Sequence, residues 1–296
     1  MLKNKTLNIN RHINRSQLVF ILLCIAISLA GWRWFQALAH SSQAGFLAPE
    51  FTAYDEIAQR KQAFLEYLYP LVANANIRVL QDRKQLLEIE QRLSRNDEPN
   101  REQLMTLEKL ALRYDIEFKR LNPQHTIDRL LKRVDVVPVS LVLAQAANET
   151  AWGTSRFATE ANNYFGQWCY RKGCGLVPAA RTHGKNHEVR VFSSPAESVM
   201  AYMRNLNRNS AYAELRTLRH GLRQKNRPAS GHALASGLGK YSELGNTYVS
   251  SLRSIILANQ LQAYTQKFYT SLADYPDLQA LVIGRKHLSS NTQNDL

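Results

Sequence analysis

The sequence has no internal repeats, no low-complexity segment and no zinc-finger spacing, and it holds only 3 cysteines and 24 acidic side chains in 296 residues. Without a zinc-finger spacing or a basic-aromatic motif, a nucleic-acid partner is disfavoured. The acids are outnumbered by 38 lysines and arginines, giving a formal net charge of +14. This charge points to an anionic partner, and nucleic acid, a membrane surface and a cell wall all fit it. The length suffices for one or two domains with a sizeable core.

The N-terminal 39 residues indicate export. Residues 1–17 hold four basic and no acidic side chains, and residues 18–30 form an uninterrupted apolar run. Extended to residue 39, the segment approaches the roughly 20 residues that span a bilayer. It is either an inner-membrane anchor or a signal peptide with a small-x-small cleavage site at 37–39. Trp32 and Trp34 favour the anchor, and both alternatives place the rest of the chain in the periplasm or outside the cell. Cys24 follows Leu23 rather than a small residue, which argues against a lipoprotein.

Residues 40–124 form a charged, helical segment without visible chemistry. Apolar residues recur there every three or four positions, and the net charge is −1, from 12 basic and 13 acidic side chains. We expect a helical arm, which either projects the remainder away from the membrane or packs against it. Residues 126–296 carry 21 basic and 11 acidic side chains, a net charge of +10. This excess predicts a basic substrate cleft or an ordinary basic surface. A polar, disordered tail is expected over residues 266–296.

The chain is organised around residues 138–168. An almost entirely apolar helix begins at Pro138, a favourable first-turn residue, and Gly153 is a natural stop. A helix that is apolar on nearly all sides is buried, so Glu149 is predicted at the tip of a central helix beside the ring of Trp152. Desolvation and the negative end of the helix dipole both raise the pKa of such a carboxyl group. Glu149 is therefore a candidate general acid, the alternative being a solvated glutamate at a helix end.

The letters around Glu149 carry a resemblance to a known family. Glu149-Thr150-Ala151-Trp152-Gly153, preceded by Ala144-Gln145-Ala146 and followed by Asn162-Asn163-Tyr164-Phe165-Gly166, resembles the glucosaminidase domain of glycoside hydrolase family 73. The continuation from Gln167 through Cys174 to Pro178 is most similar to the Bax-type members. The resemblance covers residues 125–265. It implies a lysozyme-like fold, mainly α (α+β) with a small β-region, and hydrolysis of peptidoglycan glycan strands, with no cofactor.

The resemblance also assigns site residues. Glu149 is the expected acid. Glu188 is the one carboxylate of the region between Glu160 and Glu197 and is the candidate second acid; a strand salt bridge with Arg181 or Arg190 is its alternative. Tyr241, on the loop side, is the better candidate for lining the cleft and is a candidate catalytic residue, which would orient the substrate or stabilise a cationic transition state; a surface tyrosine in a turn is its alternative. Tyr248 shares a helical face with apolar residues, so packing explains it at least in part. The remaining expected substrate-binding residues are Gln145, Trp152, Asn163, Tyr164, Phe165 and Trp168, besides Tyr248 itself.

Cys169 and Cys174 lie five apart in a glycine-containing loop, and an oxidising compartment would let them form a disulfide. A zinc site is the alternative, with His183 and His187 four apart nearby, but two thiols supply few ligands and no metal is expected.

Two other functions stay open. A lytic transglycosylase uses one glutamate on a similar fold, but the Gly-Leu-Met-Gln segment of those enzymes is missing here. A non-catalytic wall-binding or envelope-scaffold protein is the other alternative, supported by the uncertain second carboxylate and the long arm. The N-acetylglucosamine substrate's own acetyl group could also replace a second acid.

Overall fold

The structure, a computed structural model, describes residues 48–179, 181 and 184–283. This part of the chain is mainly helical with one small sheet, as the sequence predicts. Short 3-10 helices connect several of the elements. The α-helices are α1 (Ile57–Leu93), α2 (Arg101–Tyr114), α3 (Pro123–Arg133), α4 (Val139–Thr150), α5 (Arg156–Ala161), α6 (Pro195–Arg208), α7 (Ala213–Gln224), α8 (Gly231–Leu234), α9 (Asn246–Ala258), α10 (Gln262–Ser271) and α11 (Pro276–Ile283).

The predicted membrane or signal segment over residues 1–39 lies outside the described residues, as do His183 of the suggested zinc alternative and the end of the tail. Among the helices that the structure describes, none combines the length and the apolar composition needed to cross a bilayer.

Helix α4 is the centre of the main core. Ten of its twelve residues are buried, which explains why its sequence is apolar on nearly every side. Polar contacts fix its start, where the Ser140 amide donates to Thr265 Oγ1 of α10 at 2.9 Å. Because this helix is surrounded, its exposed end is the place where a polar side chain can lie between core and solvent.

Helix α1 is shared by two hydrophobic clusters. Phe64 and Leu68 in its first half join the main core around α4, whereas Leu86 and Ile89 in its second half pack with α2 and α3 in a smaller core. Of the two arrangements left open for residues 40–124, the structure therefore has the first half of α1 packed against the core around α4, while α2 and α3 pack on its second half. An asparagine cap with a reciprocal bond from Asn100 to Gln103 begins α2, immediately after the break predicted at residues 96–100.

The predicted disordered tail is wrong for residues 266–283. The chain continues there in α10 and α11, and Phe268, Leu272 and Leu278 are buried in the main core. The polar letters of this segment lie on the solvent side of two short helices. Its apolar residues recur at a spacing that places them on the buried side, and only the residues beyond 283 keep the predicted polar composition.

The small sheet follows α5. Its strands are β1 (Trp168–Cys169), β2 (Gly175–Leu176) and β3 (Glu188–Arg190), with β3 in the middle and antiparallel to both neighbours. Trp168 pairs with Val189, and Cys169 pairs with Glu188. The sheet places the disulfide loop beside the end of the strand that carries Glu188.

Part of the positive charge of residues 126–296 lies inside the protein. Arg219 is 1% exposed and donates to the carbonyl oxygens of Asp135, Val136 and Arg133 at 3.0 to 3.2 Å, just after the end of α3. Arg216 is buried as well and donates to two carbonyls. These two arginines donate their hydrogen bonds to backbone carbonyl oxygens, so only part of the excess positive charge is available to a substrate.

Candidate active site

Glu149 is the penultimate residue of α4. The helix ends in a tight turn in which Ala151, Trp152 and Gly153 have φ values of 47°, 63° and 85°. Thr150 fixes this turn, because its hydroxyl donates to Ala146 O at 2.6 Å and accepts from the Gly153 amide at 2.9 Å. Three consecutive left-handed residues are costly unless the surroundings hold them.

The surroundings that hold this turn come from the N-terminal arm. Phe51 is 2% exposed and packs so closely on Gly153 that a Cβ atom there would overlap its ring. Phe51 also makes an edge contact with Phe64, whose ring meets the Trp152 ring edge-on at a centroid distance of 5.7 Å. The Lys61 ammonium lies 4.8 Å from the centroid of Trp152. The turn beside Glu149 is therefore supported by residues far from it in sequence.

The Glu149 carboxyl group is half-buried and has only neutral donors. Tyr248 donates its hydroxyl hydrogen to Oε1 at 2.8 Å, and Asn148 Nδ2 lies 3.4 Å from the same oxygen. Oε2 faces Gly166, where an added Cβ atom would lie 3.5 Å away. Burial raises the pKa of Glu149, while the hydrogen bonds from Tyr248 and Asn148 oppose that rise. No ion pair among the described residues includes Glu149.

The two tyrosines exchange the positions expected for them. Tyr248 contacts the Glu149 carboxyl directly, whereas Tyr241 lies behind it, stacked on the Tyr248 ring at a centroid distance of 5.5 Å. The Tyr241 hydroxyl donates to Phe165 O at 2.7 Å. The helical pattern around Tyr248 predicts packing correctly for its ring, which is buried, but not that its hydroxyl reaches the carboxyl group.

Several residues expected at the substrate surface are buried instead. Gln145 is fully buried, and Asn163, Tyr164 and Phe165 are each 1% exposed. Asn163 donates to the carbonyls of Gln167 and Arg190 at 2.9 Å and so ties the segment after α5 to the sheet. No face of these four side chains is open to solvent in the structure, so their substrate-binding role stays a prediction that this burial does not support.

Two tryptophans keep accessible surface. Trp168 is 55% exposed and stacks on the His187 ring at 4.0 Å, and Trp152 is half-buried between Phe64 and Lys61. Flat aromatic faces of this kind are suited to contact sugar rings.

Glu188 does not form the salt bridge proposed as its alternative. Its carboxylate accepts the amides of Gly173 at 3.0 Å and Gly175 at 2.8 Å, and these backbone bonds lower the pKa of Glu188. Between these glycines lies Cys174, which is bonded to Cys169, so the disulfide is confirmed. Both Glu188 oxygens are therefore occupied in holding the loop.

Sequence reasoning missed Phe51, Lys61, Phe64 and Tyr202. The first three lie in the arm, and nothing local indicates that they reach the end of α4. Tyr202, on α6, donates to Gln145 Oε1 and stacks on Phe165 at 3.9 Å. The one signal for the arm is the group of aromatic residues near the start of α1, at positions 64, 67 and 69; α6 has a single aromatic residue and gives no such signal.

The comparisons with known proteins agree with this architecture. The glucosaminidase family model, described as mannosyl-glycoprotein endo-beta-N-acetylglucosaminidase, matches residues 124–261, the part of the chain that holds Glu149 and both tyrosines. The chain belongs to the Bax-type proteins with a glucosaminidase domain, which at the level of the family are cell-wall glycosidases of the bacterial envelope.

One relative of this chain is the protein described as "Protein bax" from Escherichia coli (strain K12). It is 30% identical over 225 residues, which cover 76% of this chain and 79% of that protein. No solved structure matches the chain significantly. The matched length exceeds the glucosaminidase region, so the likeness includes part of the helical arm or the C-terminal helices.

Proposed function

We propose that this protein is a peptidoglycan hydrolase, an endo-β-N-acetylglucosaminidase that cleaves β-1,4 bonds after N-acetylglucosamine, with Glu149 as general acid. The observation that carries the proposal is the environment of Glu149. Burial raises the pKa of its carboxyl group, no cation opposes this, and Oε2 faces a glycine rather than a side chain. The family match over residues 124–261 supports the choice of reaction.

Glu149 would donate its proton to the leaving oxygen as positive charge develops on the sugar ring. A raised pKa keeps the proton available near neutral pH. After the transfer the residue is an anion, and the hydrogen bond from Tyr248 stabilises that anion. Burial thus favours the protonated acid before the transfer, and the Tyr248 hydrogen bond favours the anion after it. Activity is expected to fall at high pH, because Glu149 of the free enzyme then ionises.

The second catalytic role, which a second carboxylate would have in many glycoside hydrolases, is better suited to the substrate's own acetyl group than to Glu188. Because both Glu188 oxygens accept backbone amides, the carboxylate is not free to activate water without releasing the disulfide loop. We therefore favour assistance by the acetyl group of the N-acetylglucosamine unit. Tyr241 would act indirectly, since it stacks on Tyr248 and holds Phe165 O.

Substrate binding would use the exposed ring of Trp168 and the accessible part of the half-buried Trp152, since aromatic rings can stack on sugars. The basic residues that remain at the surface would attract the carboxylates of stem peptides. The Cys169 to Cys174 disulfide supports an oxidising compartment, consistent with export by the N-terminal segment as an anchor or a cleaved signal.

The test is digestion of purified peptidoglycan by the wild-type protein and by Glu149→Gln, with mass spectrometry of the released ends. We expect new reducing N-acetylglucosamine ends from the wild type and a loss of at least about 100-fold in the variant, the usual contribution of a general acid. Glu197→Gln is the matched control, because Glu197 bonds only Ser193 and Arg190 and lies outside this site.

The other outcomes point elsewhere. Anhydro ends would identify a lytic transglycosylase. Intact peptidoglycan that still binds both folded proteins would identify a wall-binding or scaffold protein.

A further inference from the structure

Behind Glu149, three buried polar side chains form a line of hydrogen bonds. The Tyr202 hydroxyl donates to Gln145 Oε1, Gln145 Nε2 donates to the Tyr248 oxygen at 2.8 Å, and Tyr248 donates to Glu149 Oε1 at 2.8 Å. Tyr202 and Gln145 are fully buried and Tyr248 is 3% exposed, so solvent does not compete for these bonds. The line joins α6, α4 and α9.

In the structure, the orientation of the Gln145 amide sets the direction of every bond in the line. Tyr202 is a buried hydroxyl, and Gln145 Oε1 accepts its hydrogen. The amide therefore presents its nitrogen, a donor only, to Tyr248. A phenol has one hydrogen, so Tyr248, whose oxygen already accepts from Gln145, directs that hydrogen to Glu149 Oε1.

This direction distinguishes the two oxygens of Glu149. Oε1 accepts the hydrogen from Tyr248, as the carbonyl oxygen of a carboxylic acid does. Oε2 accepts no hydrogen bond among the described residues, and it lies 3.5 Å from the position that a Cβ atom on Gly166 would take. With Oε1 accepting the Tyr248 hydrogen, the acidic proton is assigned to Oε2, the oxygen that accepts no hydrogen bond.

We propose that Gln145, held by Tyr202, is a positioning residue that directs the Tyr248 hydroxyl hydrogen to Glu149 Oε1 and so assigns the transferable proton to Oε2. The proposal rests on the proposed role of Glu149 as general acid. It replaces the substrate-binding role first expected for Gln145 with one that acts through Tyr248. The two roles differ in what they change: a substrate contact alters KM, and a positioning residue alters kcat and its pH dependence.

The test compares Gln145→Met, Tyr248→Phe and the double variant in the full chain. The bond from Tyr248 favours ionised Glu149, so removing it raises the pKa of Glu149 and moves the alkaline limb of the rate profile to higher pH. We expect about one pH unit for Tyr248→Phe and about half of that for Gln145→Met. The double variant should shift no further than Tyr248→Phe, because Gln145 acts through the missing hydroxyl. In Gln145→Met, kcat should fall roughly three- to tenfold with KM unchanged.

Two further variants separate this role from general destabilisation. Asn76→Leu removes another fully buried amide, which bonds only the backbone of Val137, and should leave the limb in place. Tyr202→Phe keeps the ring that stacks on Phe165 but frees Gln145, and should give a small shift upward. It also covers the case in which Gln145→Met does not fold.

Direct titration of the Glu149 carboxyl group by carbon-13 NMR repeats the comparison without requiring turnover. An inactive wild type with the expected titration shifts would overturn the hydrolase and retain the hydrogen-bond direction. If neither the alkaline limb of the rate profile nor the titration of Glu149 shifts in both Gln145→Met and Tyr202→Phe, the positioning role is overturned. Additive shifts in the double variant, or a raised KM with unchanged kcat, would overturn it as well.

Discussion

Two carboxyl groups at the two ends of helix α4, one buried and one half-buried, have opposite surroundings. Asp135, before the helix, is 2% exposed and surrounded by arginines: Arg223 binds both of its oxygens, while Arg83 and Arg219 lie 3.7 and 3.9 Å away. Glu149, at the other end, has a phenol, an amide and a glycine. One carboxyl is embedded in positive charge and the other in neutral groups.

Burial affects both groups in the same direction, and the neighbours decide the result. Burial alone would raise the pKa of Asp135, but the charges of Arg223, Arg83 and Arg219 hold it well below its usual range. Burial also raises the pKa of Glu149, and there the opposing hydrogen bonds are too weak to reverse it. A permanently ionised group stabilises the fold, and a group that can hold its proton is available for chemistry.

The largest expected effect follows from removing the charge of Asp135. Asp135→Asn removes the negative partner of two buried guanidinium groups, Arg83 and Arg219, and of the partly buried Arg223, and we expect a loss of about 3–5 kcal/mol in the free energy of unfolding. Urea unfolding at neutral pH measures it. Because the folded pKa of Asp135 is depressed, its stabilisation is present above about pH 4 and is lost as pH falls through the folded value. The variant should not show this loss of stability at acid pH. A difference in the free energy of unfolding below about 1 kcal/mol between wild type and variant at neutral pH would contradict the comparison.

The second effect concerns the packing at the Glu149 end. Gly153→Ala adds a methyl group at φ 85° that overlaps the Phe51 ring, and we expect about 2–4 kcal/mol of destabilisation from strain and overpacking together. Gly173→Ala is the matched control, since Gly173 has φ 79° and open space around it. It should lose only the backbone part, about 1 kcal/mol. Equal losses in the two variants would show that Phe51 does not support the turn.

The smallest expected effect is that of Glu149→Gln on stability, and its sign is opposite to that of Asp135→Asn. Glu149→Gln should raise the free energy of unfolding by roughly 0.5–2 kcal/mol near neutral pH, because it removes a poorly solvated charge. The folded pKa of Glu149 is raised, so wild-type stability falls as pH rises from about 4.3, its unfolded value, through the folded value. Thermal unfolding across that window should show the variant gaining on the wild type as pH rises. A variant less stable than wild type at pH 7 would contradict it.

Local patterns predicted the parts of the site that depend on neighbours in sequence. The all-apolar helix, the position of Glu149 at its end and the bond between Cys169 and Cys174 each follow from residues within a few positions. The raised pKa of Glu149 follows too, because burial of α4 is visible in its composition.

Contacts between distant segments could not be predicted in this way. Tyr241 and Tyr248 are both plausible from their spacing, and only the crossing of α9 over α4 brings Tyr248 to the carboxyl group. Phe51 and Lys61 lie about 90–100 residues before Trp152, in a segment whose pattern indicates only an amphipathic helix. For the same reason Gln145 was expected at the surface: its polar letter does not reveal two buried phenols as partners.

The seating of Phe51 on Gly153 bears on how this region can be moved between proteins. The family match begins at residue 124, yet the ring that supports the turn beside Glu149 is 73 positions earlier. A gene fragment starting at residue 124 would encode a polypeptide whose central helix is uncovered along the side that α1 protects, and such apolar surfaces promote aggregation. The segment that can be transferred as a folded domain therefore begins before Phe51, and fusions and domain exchanges should be joined upstream of that residue.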